Sequence, residues 1–179
     1  MRFKIKKIDK AKHSDIVTSV SWNSANELIS VSDDMTVFKW DLNGEPISKL
    51  MDIEVPVIDI DWFPNPRAAG ELLAIACANG SIKLMSKAGR IEKSYDNAHS
   101  GSITCIKWTN DGAALATAGE DGAIKVWSKN IELRSALLQV GKPVYCIVWS
   151  PDSNSLLYCS STNITIMPTV VLIMDFKQR

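Results

Sequence analysis

The sequence predicts an all-β fold: about four blades of a larger, seven-bladed β-propeller. Three observations carry this. A pattern recurs roughly every 40–45 residues, the period of a propeller blade. Each period breaks into short runs rich in Val, Ile, Thr and Trp, bounded by Asn, Asp and Gly. Two periods also share one spacing, His13, Trp22, Ser30, Asp34, Trp40 and His99, Trp108, Thr117, Asp121, Trp127. His to first Trp is nine residues in both, and Asp to second Trp is six in both.

Four units align on Trp22, Trp62, Trp108 and Trp149, at spacings of 40, 46 and 41. They cover residues 9–50, 51–95, 96–138 and 139–179 of one partial propeller, 1–179, and residues 1–8 read as an N-terminal closing strand. The longer second spacing follows from Pro64-Asn-Pro66-Arg-Ala-Ala-Gly70, an enlarged loop of turn formers. In the first unit, strands are expected over Val17–Trp22, Glu27–Val31 and Thr36–Trp40. In the third, Asp121-Gly122 turns Ala113–Thr117 back into Ala123–Trp127, and Asn79-Gly80 marks the same hairpin in the second. Gly44 and Gly89 stand where the third strand turns into the fourth. Arg2, Lys4 and Lys6 alternate with Phe3 and Ile5, as in a half-buried strand with a solvated basic face.

The repeated polar residues can satisfy one another between packed blades. Asp accepts from imidazole, imidazole meets the Ser/Thr hydroxyl, and the hydroxyl meets the indole N–H. This looks like the structural tetrad of WD-repeat proteins. The second unit places Ile53, Ile75, Asn79 and Met85 at those positions, and the fourth Val140, Leu157, Ser161 and Met167. A network removed as a whole costs less than one left half-satisfied.

A hydrolytic triad is the sharper alternative for His, Ser/Thr and Asp. Its occurrence twice at equal spacing before a Trp argues for a structural part. No Gly-x-Ser-x-Gly elbow is present, and both histidines are committed to tetrads, so the chain reads as no enzyme. No His, Cys and carboxylate set has metal-ligand spacing, and no cofactor motif is found. Asp33-Asp34 and Glu120-Asp121 lack the alternating carboxylates of a calcium loop and read as turn residues.

Composition narrows the partners. Twenty Lys and Arg against twenty Asp and Glu leave no basic excess for nucleic acid. The apolar run Ile164–Met174 is broken by Pro168 and is far short of the ~20 residues that span a bilayer. Membrane insertion and a small-molecule substrate are not expected. Cys77, Cys105, Cys146 and Cys159 are widely spaced in apolar runs, which predicts buried thiols in a reducing compartment. Asn163-Ile164-Thr165 is read as a chance sequon within a strand.

Specific segments narrow the class. They are Ser32-Asp-Asp34, Trp62-Phe-Pro64, Ser86-Lys-Ala-Gly-Arg-Ile-Glu-Lys-Ser94, Ala98-His99-Ser-Gly101 and Gly119-Glu-Asp-Gly-Ala-Ile-Lys-Val-Trp-Ser-Lys129. Leu133-Arg-Ser135, Pro143-Val-Tyr145 and Trp149-Ser-Pro-Asp-Ser153 complete the set. In combination they resemble the eighty-kilodalton WD-repeat subunit family of intraflagellar transport complex B, over roughly residues 1–168. The tail Thr169–Arg179 does not resemble the family's continuation, and the family's second propeller and helical region have no counterpart. The resemblance implies a scaffold that joins other complex B subunits, located at the cilium, the ciliary base and the cytoplasm, and required for cilium assembly and maintenance. The alternative class is a substrate-recognition or adaptor module of the ubiquitin-ligase or phosphopeptide type. Such a module needs Arg and Lys on its loops, whereas Asp33, Asp34, Asn79, Glu120 and Asp121 are mostly acidic. A half propeller would also leave apolar blade faces open, with Val144, Ile147 and Val148 unpacked, and self-association is expected.

Overall fold

A computed structural model describes residues 12–64 and 72–169. The proposed closing strand, most of the enlarged loop and nearly all of the tail lie outside the described residues. Fifteen strands form four antiparallel sheets, and no helix occurs among the described residues. Blade 1 comprises β1 (Val17–Trp22), β2 (Leu28–Ser32), β3 (Thr36–Trp40) and β4 (Pro46–Asp52). Blade 2 comprises β5 (Val57–Trp62), β6 (Leu72–Cys77), β7 (Ile82–Ser86) and β8 (Ile91–Tyr95). Blade 3 comprises β9 (Ile103–Trp108), β10 (Leu115–Gly119), β11 (Ala123–Trp127) and β12 (Leu133–Gln139). Blade 4 comprises β13 (Val144–Trp149), β14 (Ser155–Ser160) and β15 (Asn163–Pro168). Each sheet is a meander in chain order.

The first strands β1, β5, β9 and β13 adjoin in succession, so blades stack side by side. Each boundary has its own apolar core. Ile29, Val31 and Val37 of blade 1 meet Ile53, Ile60 and Ile75 of blade 2. Leu84 and Ala76 of blade 2 meet Ile106, Leu115 and Trp127 of blade 3. Ala116, Ala118 and Ile124 of blade 3 meet Ile147, Leu156 and Tyr158 of blade 4. Alternate residues of one strand therefore enter different cores. Leu115 points toward blade 2, while its neighbour Ala116 points toward blade 4.

The strand pairing corrects the alignment of the fourth unit. Ser30, Ile75 and Thr117 pair with Val20, Ile60 and Ile106. The residue opposite Ile147, in the same place, is Tyr158, not Leu157. A one-residue slip moves a side chain to the other face of a sheet. Accordingly Tyr158 is buried against blade 3, whereas Leu157 is only half-buried. Ser161 is an exposed turn residue with φ 52° and takes no part in that face.

Two burial expectations also change. Val144 and Ile147 are fully buried against blade 3, and only Val148, on the opposite face of β13, is open. Cys77 and Cys105 are buried, but Cys159 is intermediate and Cys146 exposed, because β13 turns Cys146 away from the blade 3 boundary. Burial raises the Cys77 thiol pKa and pushes that of Cys105 up to about 12, keeping both protonated.

Candidate functional site

The structure brings the polar residues of the first and third units together. In blade 3, Trp127 Nε1 donates to Thr117 Oγ1 at 2.8 Å. An indole can only donate, so the hydroxyl accepts there and gives its own proton to His99 Nε2, 2.8 Å away. His99 Nδ1–H then donates to Asp121 at 2.9 Å. Blade 1 repeats the arrangement: Trp40 Nε1 to Ser30 Oγ at 2.7 Å, Ser30 to His13 Nε2 at 2.7 Å, and His13 Nδ1 to Asp34 at 3.0 Å. Each set links the segment before a blade's first strand to its second and third strands.

The aspartates also organise the backbone. Asp121 accepts the N–H groups of Ser100 and Ala123, and Asp34 those of Ser14 and Thr36. Burial would raise both carboxyl pKa values. The hydrogen bonds outweigh it, led for Asp121 by His99 and for Asp34 by the Thr36 hydroxyl. Asp121 lies below the usual range and Asp34 falls to about 2. His99 is lowered because burial outweighs the attraction of Asp121, so it stays neutral. Thr36, whose hydroxyl donates to Asp34 at 2.6 Å, is an added member that spacing does not reveal, since blade 3 has Ala123 after its aspartate.

Glycine keeps the blade 3 network compact. A Cβ on Gly119 would stand 2.6 Å from His99 Nδ1 and 2.8 Å from Asp121 Oδ1. In blades 2 and 4 the corresponding face is apolar: Ile53, Ile75 and Met85 are buried together, and Met167 packs on the blade 3–4 core. Asn79 is exposed and accepts from Ser81 within its turn.

A second polar constellation crosses the blade 2–3 boundary. Asp59 accepts the Ile106 N–H at 3.1 Å and the Lys107 ammonium at 2.8 Å, and Ser19 of blade 1 donates to it at 3.1 Å. Asp61 accepts the Trp108 N–H at 2.8 Å. Two carboxylates of β5 thus take up amide protons of β9 that no strand ladder uses. Burial raises the Asp61 pKa to about 6 against the opposing pull of Trp108 and Lys107. Lys107 is raised because Asp59 outweighs its burial. Asp-x-Asp in a first strand is the signal that could have pointed to this bracket, yet it reads as an ordinary polar face.

The hydroxyl–imidazole–carboxylate order is that of a hydrolytic triad, but Thr117, Ser30 and His99 are buried and each hydroxyl also accepts from an indole. Both imidazoles are bonded at both nitrogens, and each hydroxyl is held between an indole and an imidazole.

The stacked antiparallel meanders, three of four strands and one of three among the described residues, and the repeated His–Ser/Thr–Trp networks define the class, a WD-repeat β-propeller. The model of the family "WD domain, G-beta repeat" matches residues 6–41 and 90–128, the stretches that carry the two networks. More particularly, the chain is similar to the intraflagellar transport protein 80 homologs of Rattus norvegicus and Mus musculus, with 39% identity over 94% of its length. The resemblance read from its motifs is thereby borne out. The chain spans 22% of the length of those relatives. Actin-related protein 2/3 complex subunit 1A of Arabidopsis thaliana is 24% identical over 82% of this chain and 45% of that protein. Among solved structures, the computationally designed Ika4 protein matches with a TM-score of 0.74 at 16% identity. That match covers 94% of this chain and 99% of the other, and it shows the fold alone.

Proposed function

We propose that the chain is a non-enzymatic interaction scaffold of intraflagellar transport complex B, working at the cilium, its base and the cytoplasm in cilium assembly and maintenance. The observation that carries this is the 39% identity to the protein 80 homologs along nearly the whole chain. The physical role of the two networks fits it. His13, Ser30, Asp34 and Trp40, and His99, Thr117, Asp121 and Trp127, act as ties that hold loops in fixed positions on a rigid platform. Partners are other complex B subunits, and no nucleotide, metal or small substrate is invoked.

The open faces support self-association as part of this reading. Trp62, Trp108 and Trp149 pack toward the preceding blade and are at most 9% exposed. Trp22 holds the same place in blade 1 and is 53% exposed, beside Val20 at 57%. Large exposed apolar patches mark contact sites.

An affinity-tagged chain expressed in ciliated cells tests the reading. It should recover complex B subunits, and Trp127→Ala should lose them while Lys129→Ala keeps them. Recovery of ubiquitin-ligase subunits with no transport subunits would instead favour an adaptor.

A further inference from the structure

The residue after each blade's first strand bonds back to the start of the second strand in all four blades. Asn23, Phe63, Thr109 and Ser150 each donate their N–H to the residue that begins or precedes the second strand. At the blade 2–3 boundary, Phe63 uses this position to reach across. Its ring meets Trp108 edge-on, with centroids 5.1 Å apart and planes at 85°. It lies so close to Gly112 that a Cβ there would be 2.7 Å from the ring.

The blade 3–4 boundary has the same parts without the ring. Thr109 replaces Phe63, Trp149 replaces Trp108, and Ser153, with φ 59°, replaces Gly112. The Thr109 hydroxyl folds back onto its own turn, bonding Ala114 N and O at 3.0 and 3.1 Å, and does not cross the boundary. A cleft of about 400 Å³ stands there, bounded by Thr109, Ala114, Val126, Leu137, Trp149 and Ser153. That volume is in the range of small-ligand sites, larger than one phenyl ring. The Trp149 indole N–H is satisfied by Lys107 O at 3.1 Å, so the indole offers the cleft an apolar surface. Asn110 ties the two blades beside it, donating to Ser153 Oγ and Ser150 O. Two carboxylates, Asp111 and Asp152, and one guanidinium, Arg134, border the opening, a net negative charge.

We propose that this cleft is a docking site for an aromatic side chain of a partner protein's segment, with a basic residue beside the aromatic one. Phe63 shows which surface a ring takes up, the tryptophan that ends the next blade's first strand; here Ser153 closes the seat that Gly112 leaves open, and the cleft beside it, toward Val126 and Leu137, receives the ring. The charge at the opening selects the neighbour. Ser153 explains why the chain does not supply the ring from position 109, since its Cβ occupies the space that Gly112 leaves for Phe63. The proposal depends on the fold and not on the ciliary reading.

The test follows the Trp149 indole N–H of the full chain by NMR during titration with acetyl-Phe-Lys-amide. Saturable shifts are expected. Acetyl-Leu-Lys-amide should bind about three- to tenfold more weakly, the advantage of an aromatic pair, and acetyl-Phe-Glu-amide more weakly too. Equal binding of the leucine peptide, or of the glutamate peptide, would overturn the stated ligand chemistry. The paired change Thr109→Phe with Ser153→Gly copies the blade 2–3 boundary, and it should raise the melting temperature and abolish binding. A folded double variant that binds as the wild type does would overturn the location. Binding that appears only after Phe176→Ser would mean that the chain's own last residues occupy the cleft, and would likewise overturn the proposal.

Discussion

The Asp61 carboxylate accepts the amide proton of Trp108 at 2.8 Å, one blade away. Its pKa is raised to about 6 by burial, so the protonated acid suits the folded state better than the carboxylate. The stabilisation from this group is fully present below the ordinary carboxylate range and is lost as the pH rises through about 6. Asp61→Asn keeps an acceptor for Trp108 without the charge. The variant should melt higher than wild type at pH 7.5, by up to about 2–3 kcal/mol, with little gain at pH 4. Equal gains at both pH values would contradict the assignment.

Trp127→Ala should destabilise blade 3 by about 3–5 kcal/mol. The ring is 1% exposed, packs edge-on against Tyr95 at 5.0 Å and supplies the donor to Thr117. Lys129 is exposed, and Lys129→Ala should stay within about 0.5 kcal/mol of wild type. Urea unfolding of the two variants checks this, and similar midpoints would refute the role given to the network.

The networks were legible because each polar group recurs at a fixed offset from a tryptophan, and only a shared function of the set explains four matched positions. Tyr158 was not legible. The fourth unit has Val140 and Ser161 where the network places His and Asp, so nothing there anchors its register, and its β14–β15 hairpin is tight, with Ser160 pairing directly to Asn163. Asp59 and Asp61 were hidden because a carboxylate on alternate strand positions looks solvent-facing until the next blade is in place. Trp22 and Trp62 look alike in sequence, and their burial differs only because the described residues place a blade before one and not the other. The relation between Phe63 and Thr109 needs the register of both turns.

The apolar face around Trp22 and Val20 should mediate association of the isolated chain. Sedimentation should show oligomers whose proportion falls with dilution, and Trp22→Asp should shift the population toward monomer. A monomeric wild type with a sharp unfolding transition would contradict this.

Purified chain should show no hydrolase turnover, since the Thr117 and Ser30 hydroxyls are buried and each is held by an indole donor, out of reach of a substrate. An activity abolished by His99→Gln in a protein that keeps its melting temperature would overturn the non-enzymatic reading.

The proposed service in intraflagellar transport is tested by cilium length after removal of the locus. Shortened or absent cilia, restored by the intact gene, are expected. Cilia of normal length and composition in a clean knockout would contradict it.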